Sequence, residues 1–277
     1  MAVQVLGSGG PIADDGRASA GYLLWVDGRV RLLVDAGGGT FLRFAETGAR
    51  FEDLEAILLT HLHVDHTAGL PALLKSASFG QRDRPLPVLG PTGDDPFPPL
   101  RAFLDALLGR EQGAWGYLGG YLEPGGNPFR LEPREVDVTA PKAAAPVWEG
   151  GGIEVHAVGV PHGPVPALAY AVRVRGRRIV FAGDQRMDEE RFERLAHGAD
   201  LLVAHHAVPE GAGERARALH ATPSRIGAVA SRADAGRLVL SHHMARSLSQ
   251  IDGSRDHIEQ RYEGPLHVAE DLDCFSP

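Results

Sequence analysis

The sequence has one cysteine, few lysines and no long apolar run. Cys274 has no second cysteine to pair with, so an internal disulfide and a cross-linked secreted scaffold are excluded. No apolar run approaches the length of about 18 residues that a membrane span needs, and the first residues lack the basic and apolar stretches of a secretory leader. These absences predict a cytoplasmic protein without a membrane partner.

Acidic residues outnumber basic ones. The chain has 36 acidic and 28 basic residues, a formal net charge of -8, which does not favour broad attachment to nucleic-acid phosphates. Lys75 and Lys142 are the two lysines, and the arginines are spread along the chain without forming an arginine-rich patch. Glycine and proline are abundant, with 35 and 20 among 277 residues, and predict many turns and long irregular connections.

Short apolar or alternating segments predict an α/β fold. Those bounded by Gly or Asp predict strands at Val3–Leu6, Tyr22–Val26, Val30–Val34, Ala56–Thr60, Ile153–Val160, Leu168–Val174, Arg178–Ala182, Leu201–Ala204 and Arg237–Leu240. Apolar residues at helical spacing predict helices at Thr67–Ala77, Pro99–Leu108, Asp188–Ala196 and Pro223–Arg232. The length suits a single domain over residues 1–277, with helices covering the sheet.

Two stretches of the chain resemble each other. Each runs from a tyrosine, through a glycine six residues later, to an aspartate, as Tyr22–Asp35 and Tyr170–Asp184. Two such hairpins, each followed by helices and further strands, predict two similar halves packed sheet to sheet with helices outside. Coincidence is the alternative, because strand hairpins look alike.

Four metal-binding side chains lie within six residues, between a predicted strand and a predicted helix: His61, His63, Asp65 and His66. His61 and His63 project to one side of an extended segment, while Asp65 and His66, at the turn into the helix, can face a second point nearby. This arrangement suits two metal ions. Imidazole with carboxylate suits Zn, Fe or Mn better than Ca or Mg. A merely polar loop is the alternative.

The His-x-His-x-Asp-His pattern of residues 61–66 resembles the signature of the metallo-β-lactamase superfamily, and the resemblance extends across most of the chain. It implies the metallo-β-lactamase fold, a four-layer αββα sandwich, in which Asp35 supports the ligand loop. The implied ligands of one ion are His61, His63 and His162. Those of the other are Asp65, His66 and His242, with Asp184 bridging the two ions. His243 is an immediate alternative to His242.

Two such ions imply hydrolysis, because they lower the pKa of a shared water from 15.7 to about 7 and produce a metal-bridging hydroxide at neutral pH. Asp65 has two implied roles, binding metal and orienting this nucleophile. Typical zinc β-lactamases mostly lack a bridging aspartate such as Asp184, so antibiotic hydrolysis is a poor expectation. The expected cofactors are two divalent ions, Zn in the first place and Mn or Fe as alternatives.

The C-terminal third resembles the ribonuclease Z-like branch of the superfamily, which also includes small-molecule phosphodiesterases and arylsulfatase-like members. The resemblance lies in residues 205–208, 220–223 and 241–246. It implies that His220 protonates the leaving oxygen or holds a nonbridging phosphate oxygen. His206 stands where the branch has a glutamate, so a carboxylate partner for His220 is not evident.

Ribonuclease Z proteins clasp transfer RNA with a protruding basic arm, which this chain matches poorly. The corresponding segment, near 109–130, is rich in glycine and aromatics and almost uncharged, so we expect a lid. Its aromatics, Trp115, Tyr117 and Tyr121, either line a small-molecule pocket or pack the loop.

We therefore expect a dinuclear metal hydrolase of a small or nucleotide-like phosphodiester, with the transfer RNA 3′ end less favoured. Nucleic acid is a disfavoured partner, and a homodimer is implied by analogy with relatives. The same metal site could instead hydrolyse a carboxylic ester, lactone or aryl sulfate. A third alternative is a metal-binding regulatory protein that has lost turnover.

Overall fold

The computed structural model describes residues 1–125, 127–139 and 146–277, so residue 126 of the predicted lid segment lies outside the described part. Two seven-stranded sheets face each other, and helices cover the outer face of each sheet. This is the four-layer αββα arrangement that the resemblance implied. None of the described helices combines the length and the apolar character needed to cross a bilayer.

The first sheet contains most of the N-terminal half. Its strands are β1 (Ala2–Gly7), β2 (Gly21–Val26), β3 (Arg29–Ala36), β4 (Ala56–Leu58), β5 (Leu86–Pro91), β6 (Leu131–Val136) and the C-terminal β14 (Cys274–Phe275). Their order is β14-β1-β2-β3-β4-β5-β6. Strands β1 to β3 pair antiparallel, and β3 to β6 pair parallel. The parallel pairs place the ends of β3, β4 and β5 at one edge of the sheet.

The second sheet repeats this pattern. Its strands are β7 (Trp148–Gly150), β8 (Ile153–His162), β9 (Val165–Val174), β10 (Arg177–Phe181), β11 (Leu201–His205), β12 (Leu238–Ser241) and β13 (Leu266–Val268), in the order β13-β12-β11-β10-β9-β8-β7. Strands β8 to β10 pair antiparallel and β10 to β13 pair parallel. The two similar halves that the repeated hairpin predicts are thus present as architecture.

The helices follow the parallel strands. In the first half they are α1 (Thr40–Glu46), α2 (Val64–Thr67), α3 (Leu70–Ala77) and α4 (Leu100–Leu108). In the second half they are α5 (Glu190–Ala196), α6 (Glu214–Arg217), α7 (Pro223–Arg232), α8 (Ala245–Leu248) and α9 (Ile251–Glu259). Short 3₁₀ turns span Phe51–Asp53 and Gly116–Tyr121.

Alternating side chains divide the core into layers. In β2, Tyr22 and Leu24 face the space between the sheets, while Leu23 faces the helices of the first half. In β10, Phe181 likewise joins the central cluster and Val180 joins the outer one. Successive side chains of a strand point to opposite faces of the sheet, so each strand contributes apolar residues both to the central layer and to an outer layer. Burying one such side chain contributes about 1.5–3 kcal/mol to stability.

Two elements differ from their predicted bounds, for local reasons. The strand predicted at Ala56–Thr60 stops at Leu58, because the Thr60 N–H donates to the Asp35 carboxylate at 2.8 Å. The helix predicted at Thr67–Ala77 is split at Gly69. A Cβ at Gly69 would lie 2.5 Å from Oγ1 of Thr40, so the backbone approaches α1 where only glycine fits.

The segment near 109–130 packs mainly against its own half. Tyr121 is buried and its ring centroid lies 4.7 Å from that of Phe129, within the apolar cluster behind the first sheet. Trp115 and Tyr117 are 39% and 69% exposed. The aromatic ring beside the site described below is Phe97, whose centroid lies 6.5 Å from that of His63. The packing alternative fits Tyr121, and the lid role of the segment stays a prediction.

Candidate metal centre

The loop after β4 and the first turn of α2 carry the four side chains of the sequence motif. His61 and His66 are fully buried, Asp65 is 7% exposed and His63 is half-buried. His63 has extended backbone, and α2 begins at the next residue, so Asp65 and His66 lie on the first turn of a helix. Nε2 of His61 lies 3.0 Å from Nδ1 of His63. The strand-to-helix transition thus separates the motif into two pairs.

The second half contributes donors from three separate strand ends. His162 ends β8, Asp184 follows β10 by three residues, and His242 directly follows β12. His162 Nε2 lies 3.6 Å from Oδ2 of Asp184, and His242 Nε2 lies 3.4 Å from its Oδ1. The structure therefore brings residues separated by most of the chain to one buried point between the sheets.

His242, and not His243, joins this cluster. Nε2 of His242 lies 3.2 Å from Nε2 of His66 and 3.2 Å from Oδ2 of Asp65. Its φ of 56° is in the left-handed region, which is unusual for a histidine and turns the ring toward the cleft. His243 faces away, with Nδ1 3.3 Å from Nδ1 of His206 and Nε2 3.2 Å from the carbonyl oxygen of Leu240.

The spacing of the donor atoms fits metal ions. Within each of five groups, the ligand atoms all lie within 4.8 Å of one another: His61–His63–His162, His61–His66–Asp184, Asp65–His66–His242, His162–Asp184–His220 and Asp184–His205–His242. Two histidine nitrogens on one tetrahedral zinc ion lie about 3.4 Å apart, given bonds of about 2.0–2.1 Å. The pairs His61–His63 and His66–His242, at 3.0 and 3.2 Å, come close to this spacing.

The charges of the cluster also call for a cation. Burial raises the pKa of Asp184, but His242, His220 and a hydrogen bond from His205 outweigh burial and hold that pKa well below its ordinary value. Burial likewise raises the pKa of Asp65, and the hydrogen bond with His242 and the charge of His66 bring it down to about 2. Both carboxylates are therefore ionised, and buried anions need cationic partners.

The pKa values of the histidines shift in opposite directions. Burial lowers the pKa of His61 well below its ordinary value and lowers that of His63. Burial also acts to lower the pKa of His66, yet the Asp35, Asp184 and Asp65 carboxylates outweigh it and raise the pKa to about 9. Without a metal ion, the proton on His66 supplies part of the missing positive charge, and a metal ion would replace it.

Asp35 holds the ligand loop from behind. Its carboxylate accepts hydrogen bonds from the Thr60 N–H, the Thr60 hydroxyl and Nδ1 of His66, each at 2.8 Å. His162 is held in the same manner, with Nδ1 2.9 Å from the carbonyl oxygen of Leu219. Fixing the second ring nitrogen orients a histidine so that its other nitrogen faces a metal ion.

His220 lies at the edge of the cluster. Its side chain is 9% exposed, and Nδ1 lies 3.9 Å from Oδ2 of Asp184 with no hydrogen-bond partner among the described residues. Burial lowers the pKa of His220 to about 3, so the ring is neutral at physiological pH. His206 does not replace the missing glutamate as a partner, because its Nδ1 faces His243.

One buried chain of contacts was not identified as part of the site from the sequence. Nδ1 of His205 lies 2.6 Å from Oδ1 of Asp184, and its Nε2 lies 3.1 Å from the Tyr22 hydroxyl, which is 3.0 Å from Oγ of Ser241. His205 also stacks on His242, with ring centroids 4.6 Å apart. The signal was the position of His205 at the end of the apolar strand β11, which matches the positions of the expected ligands.

The remaining histidines lie apart from the cluster. None of the five groups of ligand atoms among the described residues includes His156, His197, His257 or His267. His197 is exposed, and His156, His257 and His267 are partly buried at other places in the fold.

An αββα sandwich with buried histidines and aspartates between its sheets defines a class of metal-dependent proteins. The chain belongs to the family described as "Beta-lactamase superfamily domain", which matches residues 30–243. A curated relative named ribonuclease Z, from Mycobacterium bovis, is 30% identical, with 98% of this chain and 96% of the relative aligned. The family that the sequence motif indicated is confirmed.

Solved structures share the fold. The metallo-beta-lactamase fold protein YhfI from Bacillus subtilis has a TM-score of 0.77 at 21% identity, covering 99% of this chain and 98% of its own. The short form of human tRNase Z has a TM-score of 0.75 at 23% identity, covering 100% and 99%. With the ribonuclease Z relatives, the family indicates divalent metal binding and a hydrolase that acts on phosphodiester or other ester bonds.

Proposed function

We propose that this hydrolase cleaves a nucleotide-like phosphodiester with two divalent ions. His61, His63 and His162 would hold one ion. Asp65, His66 and His242 would hold the other, and Asp184, whose two oxygens lie near His162 and His242, would serve both. The observation that supports this assignment is the grouping of the donor atoms. Nitrogen-rich sites of this kind favour Zn, and Mn or Fe suit the same residues.

Two divalent ions supply, when bound, a water acidic enough to attack at neutral pH and positive charge for the anionic transition state. Asp65 is ionised and has an oxygen near the second group of ligands, so it can accept a hydrogen bond from the attacking water and orient it. His220 is neutral at physiological pH, and this favours a hydrogen bond to a nonbridging phosphate oxygen over proton donation.

Maturation of the transfer RNA 3′ end is a second candidate, favoured by the name ribonuclease Z of relatives that align over nearly their whole length. The described part of the 109–130 segment argues against the clasping of transfer RNA by a basic arm. Arg110 there is paired with Glu123 at 3.0 Å, so its charge is neutralised locally. We therefore rank a short nucleotide-like ester first and precursor transfer RNA second.

A substrate panel on protein of known metal content tests the proposal. We expect about two equivalents of Zn, Mn or Fe, turnover of an aryl phosphodiester, and little turnover of an aryl sulfate, a lactone or a carboxylic ester. Cleavage of precursor transfer RNA at its 3′ end, faster than cleavage of small esters, would reverse our ranking. Metal-free protein that gains no activity from added ions would reject the enzyme proposal.

His220→Ala tests the role of His220, with the exposed His197→Ala as the control. Loss of a hydrogen-bond donor to the transition state costs about 10²-fold in kcat. The loss should be similar for phosphodiesters with good and with poor leaving groups. A much larger loss with poor leaving groups would instead assign proton donation to His220.

A further inference from the structure

A cavity of about 390 Å³ adjoins the cluster of histidines and aspartates described above, and His220 is the residue that the two share. His220 forms part of the cavity wall, and Nδ1 of the same ring lies 3.9 Å from Oδ2 of Asp184. His162, Asp184 and His220 also form one of the groups of closely spaced ligand atoms. A chemical group bound in the cavity would therefore lie beside a group bound at the cluster.

The charged lining of this cavity is mainly positive. Arg186, Arg217 and Arg225 face two acidic residues, Asp188 and Glu214. Arg186 pairs with Asp188 at 3.3 Å, while its buried Nε has no hydrogen-bond partner among the described residues. Throughout the described part of the chain, no hydrogen bond or ion pair reaches the side chain of Arg217 or Arg225. Two guanidinium groups are thus available to a ligand.

A second arginine-lined cleft differs from this cavity, because its arginines are paired with a carboxylate. In the cleft beside β6, Arg130 and Arg134 both lie near the carboxylate of Glu132, at 3.0 and 3.7 Å. Their positive charges are neutralised within the protein. The chain carries a formal net charge of -8, so unpaired arginines beside the cluster create a local field that opposes the charge of the whole molecule.

We propose that the cavity lined by Arg186, Arg217 and Arg225, here called the arginine pocket, binds a second phosphate group of the substrate. This inference rests on the proposed function, because it places the scissile phosphodiester at the metal cluster. Guanidinium groups donate paired hydrogen bonds to phosphate oxygens, which an apolar group could not accept, and a position beside a scissile phosphodiester favours phosphate as the anion. The substrate class is thus a nucleotide ester with a neighbouring phosphate, either a terminal phosphate or the next backbone phosphate of an oligonucleotide.

Two synthetic esters that differ by one phosphate test the arginine pocket on the metal-loaded full chain. They are thymidine 5′-(p-nitrophenyl phosphate) and the same ester with a 3′-phosphate. For the wild type we expect a KM about tenfold lower for the 3′-phosphorylated ester, and the ratio should shrink as salt screens the exposed arginines. In Arg217→Gln/Arg225→Gln the ratio should fall to about 1.

The matched control is Arg101→Gln/Arg134→Gln, which removes two arginines from the cleft beside β6 and should leave the KM ratio at its wild-type value. Thermal unfolding checks that all variants are folded, which we expect because Arg217 and Arg225 are exposed. A wild type that does not distinguish the two esters, or a pocket variant that keeps the full preference, overturns the proposal. A ratio that falls equally in the control pair assigns the preference to general surface charge and also overturns it.

Failure of the proposed function gives a different result. If the metal-loaded wild type hydrolyses neither ester, the phosphodiesterase proposal fails, and calorimetry with thymidine 5′-monophosphate and thymidine 3′,5′-bisphosphate tests the pocket alone. Tighter binding of the bisphosphate that Arg217→Gln/Arg225→Gln abolishes supports the arginine pocket. Equal binding of the two nucleotides rejects it. A preference for an oligonucleotide over the 3′-phosphorylated ester, lost in the same variant, would identify the second group as a backbone phosphate.

Discussion

The two halves of the molecule share one architecture and use it differently. Their sheets have matching strand orders, with a pair of antiparallel hairpins followed by parallel strands. Corresponding tyrosines reach across the middle of the sandwich in opposite directions. The Tyr22 hydroxyl contacts His205 and Ser241 of the second half, while the Tyr170 hydroxyl donates to the Leu59 carbonyl of the first half at 3.0 Å. Each half therefore supports the loops of the other.

The halves differ in how they deliver donor atoms. The first half places four donors in one short segment, residues 61–66, whereas the second half contributes His162, Asp184 and His242 from separate strand ends. Their aspartates differ too. Asp35 lies within β3 and bonds to the neighbouring loop, but Asp184 lies three residues beyond β10 and reaches the cluster. Whether an aspartate supports the site or enters it thus depends on its distance past the strand end.

Among the substitutions that test this comparison, Asp184→Asn should cause the largest loss of metal content and activity. The amide removes a charge that serves both groups of ligands, so we expect metal content to fall to one equivalent or less and kcat to fall by about 10³-fold or more, since each 1.4 kcal/mol of lost transition-state stabilisation costs about tenfold. Elemental analysis and initial rates measure both. Asp252→Asn, on the exposed start of α9, is the control. Full metal content in Asp184→Asn would break the distinction between the two aspartates.

The same comparison explains what the sequence could predict. Residues 61–66 form a local pattern, and physical reasoning alone predicts a metal site there. His162, Asp184 and His242 are isolated in sequence, and they were assigned through the family resemblance. His205 was missed as a site residue because its role depends on Tyr22, which is remote in sequence and approaches only when the sheets pack.

Elements without a clear apolar period were also missed. Strand β5 (Leu86–Pro91) contains prolines at both Pro87 and Pro91, which ordinarily argue against a paired strand. Strand β6 (Leu131–Val136) carries Glu, Pro and Arg between its apolar ends. As an edge strand it has one free side, which tolerates such residues, and only the assembled sheet reveals this.

Compared with Asp184→Asn, Asp35→Asn should cost more stability and less activity. Asp35 accepts three hydrogen bonds in full burial, and breaking its pair with His66 costs about 3–5 kcal/mol. Urea unfolding of metal-free protein should show a larger loss of stability in Asp35→Asn than in Asp184→Asn, while the loss of kcat should be smaller. If Asp35→Asn is the more stable of the two variants, the supporting role assigned to Asp35 is wrong.

The second half also contains a buried pair of histidines outside the ligand cluster, His206 and His243. A pH experiment tests what this pair contributes to stability. Burial lowers the pKa of His206 to about 4 and that of His243 to about 3, from an ordinary value of 6.5. Below pH 6.5 the unfolded chain gains protons that the folded chain refuses, so stability is present above pH 6.5 and is lost as pH falls toward 4.

The double variant His206→Leu/His243→Leu should remove this loss. Without metal, the slope of unfolding free energy against pH between about 6.5 and 4.5 should be shallower than in the wild type by at most two protons, about 2.7 kcal/mol per pH unit. Chemical unfolding at several pH values measures the slope. The exposed His197, replaced by leucine, is the control, because it lies outside the buried pair. An unchanged slope in the double variant would show that other buried histidines dominate the acid response.

The smallest predicted effect comes from the crossing tyrosines, compared as Tyr22→Phe and Tyr170→Phe. Each variant removes one buried hydroxyl, and each should lose about 1–2 kcal/mol of stability through unpaired partners. Only Tyr22 connects to the cluster, through His205 and Asp184, so Tyr22→Phe should also weaken metal affinity by about threefold to tenfold, toward the low end of effects seen for residues behind metal ligands. Competition with a chelator measures that affinity. Equal affinities in the two variants would mean that His205 holds Asp184 without help from the first half, and that the support between the halves contributes to folding alone.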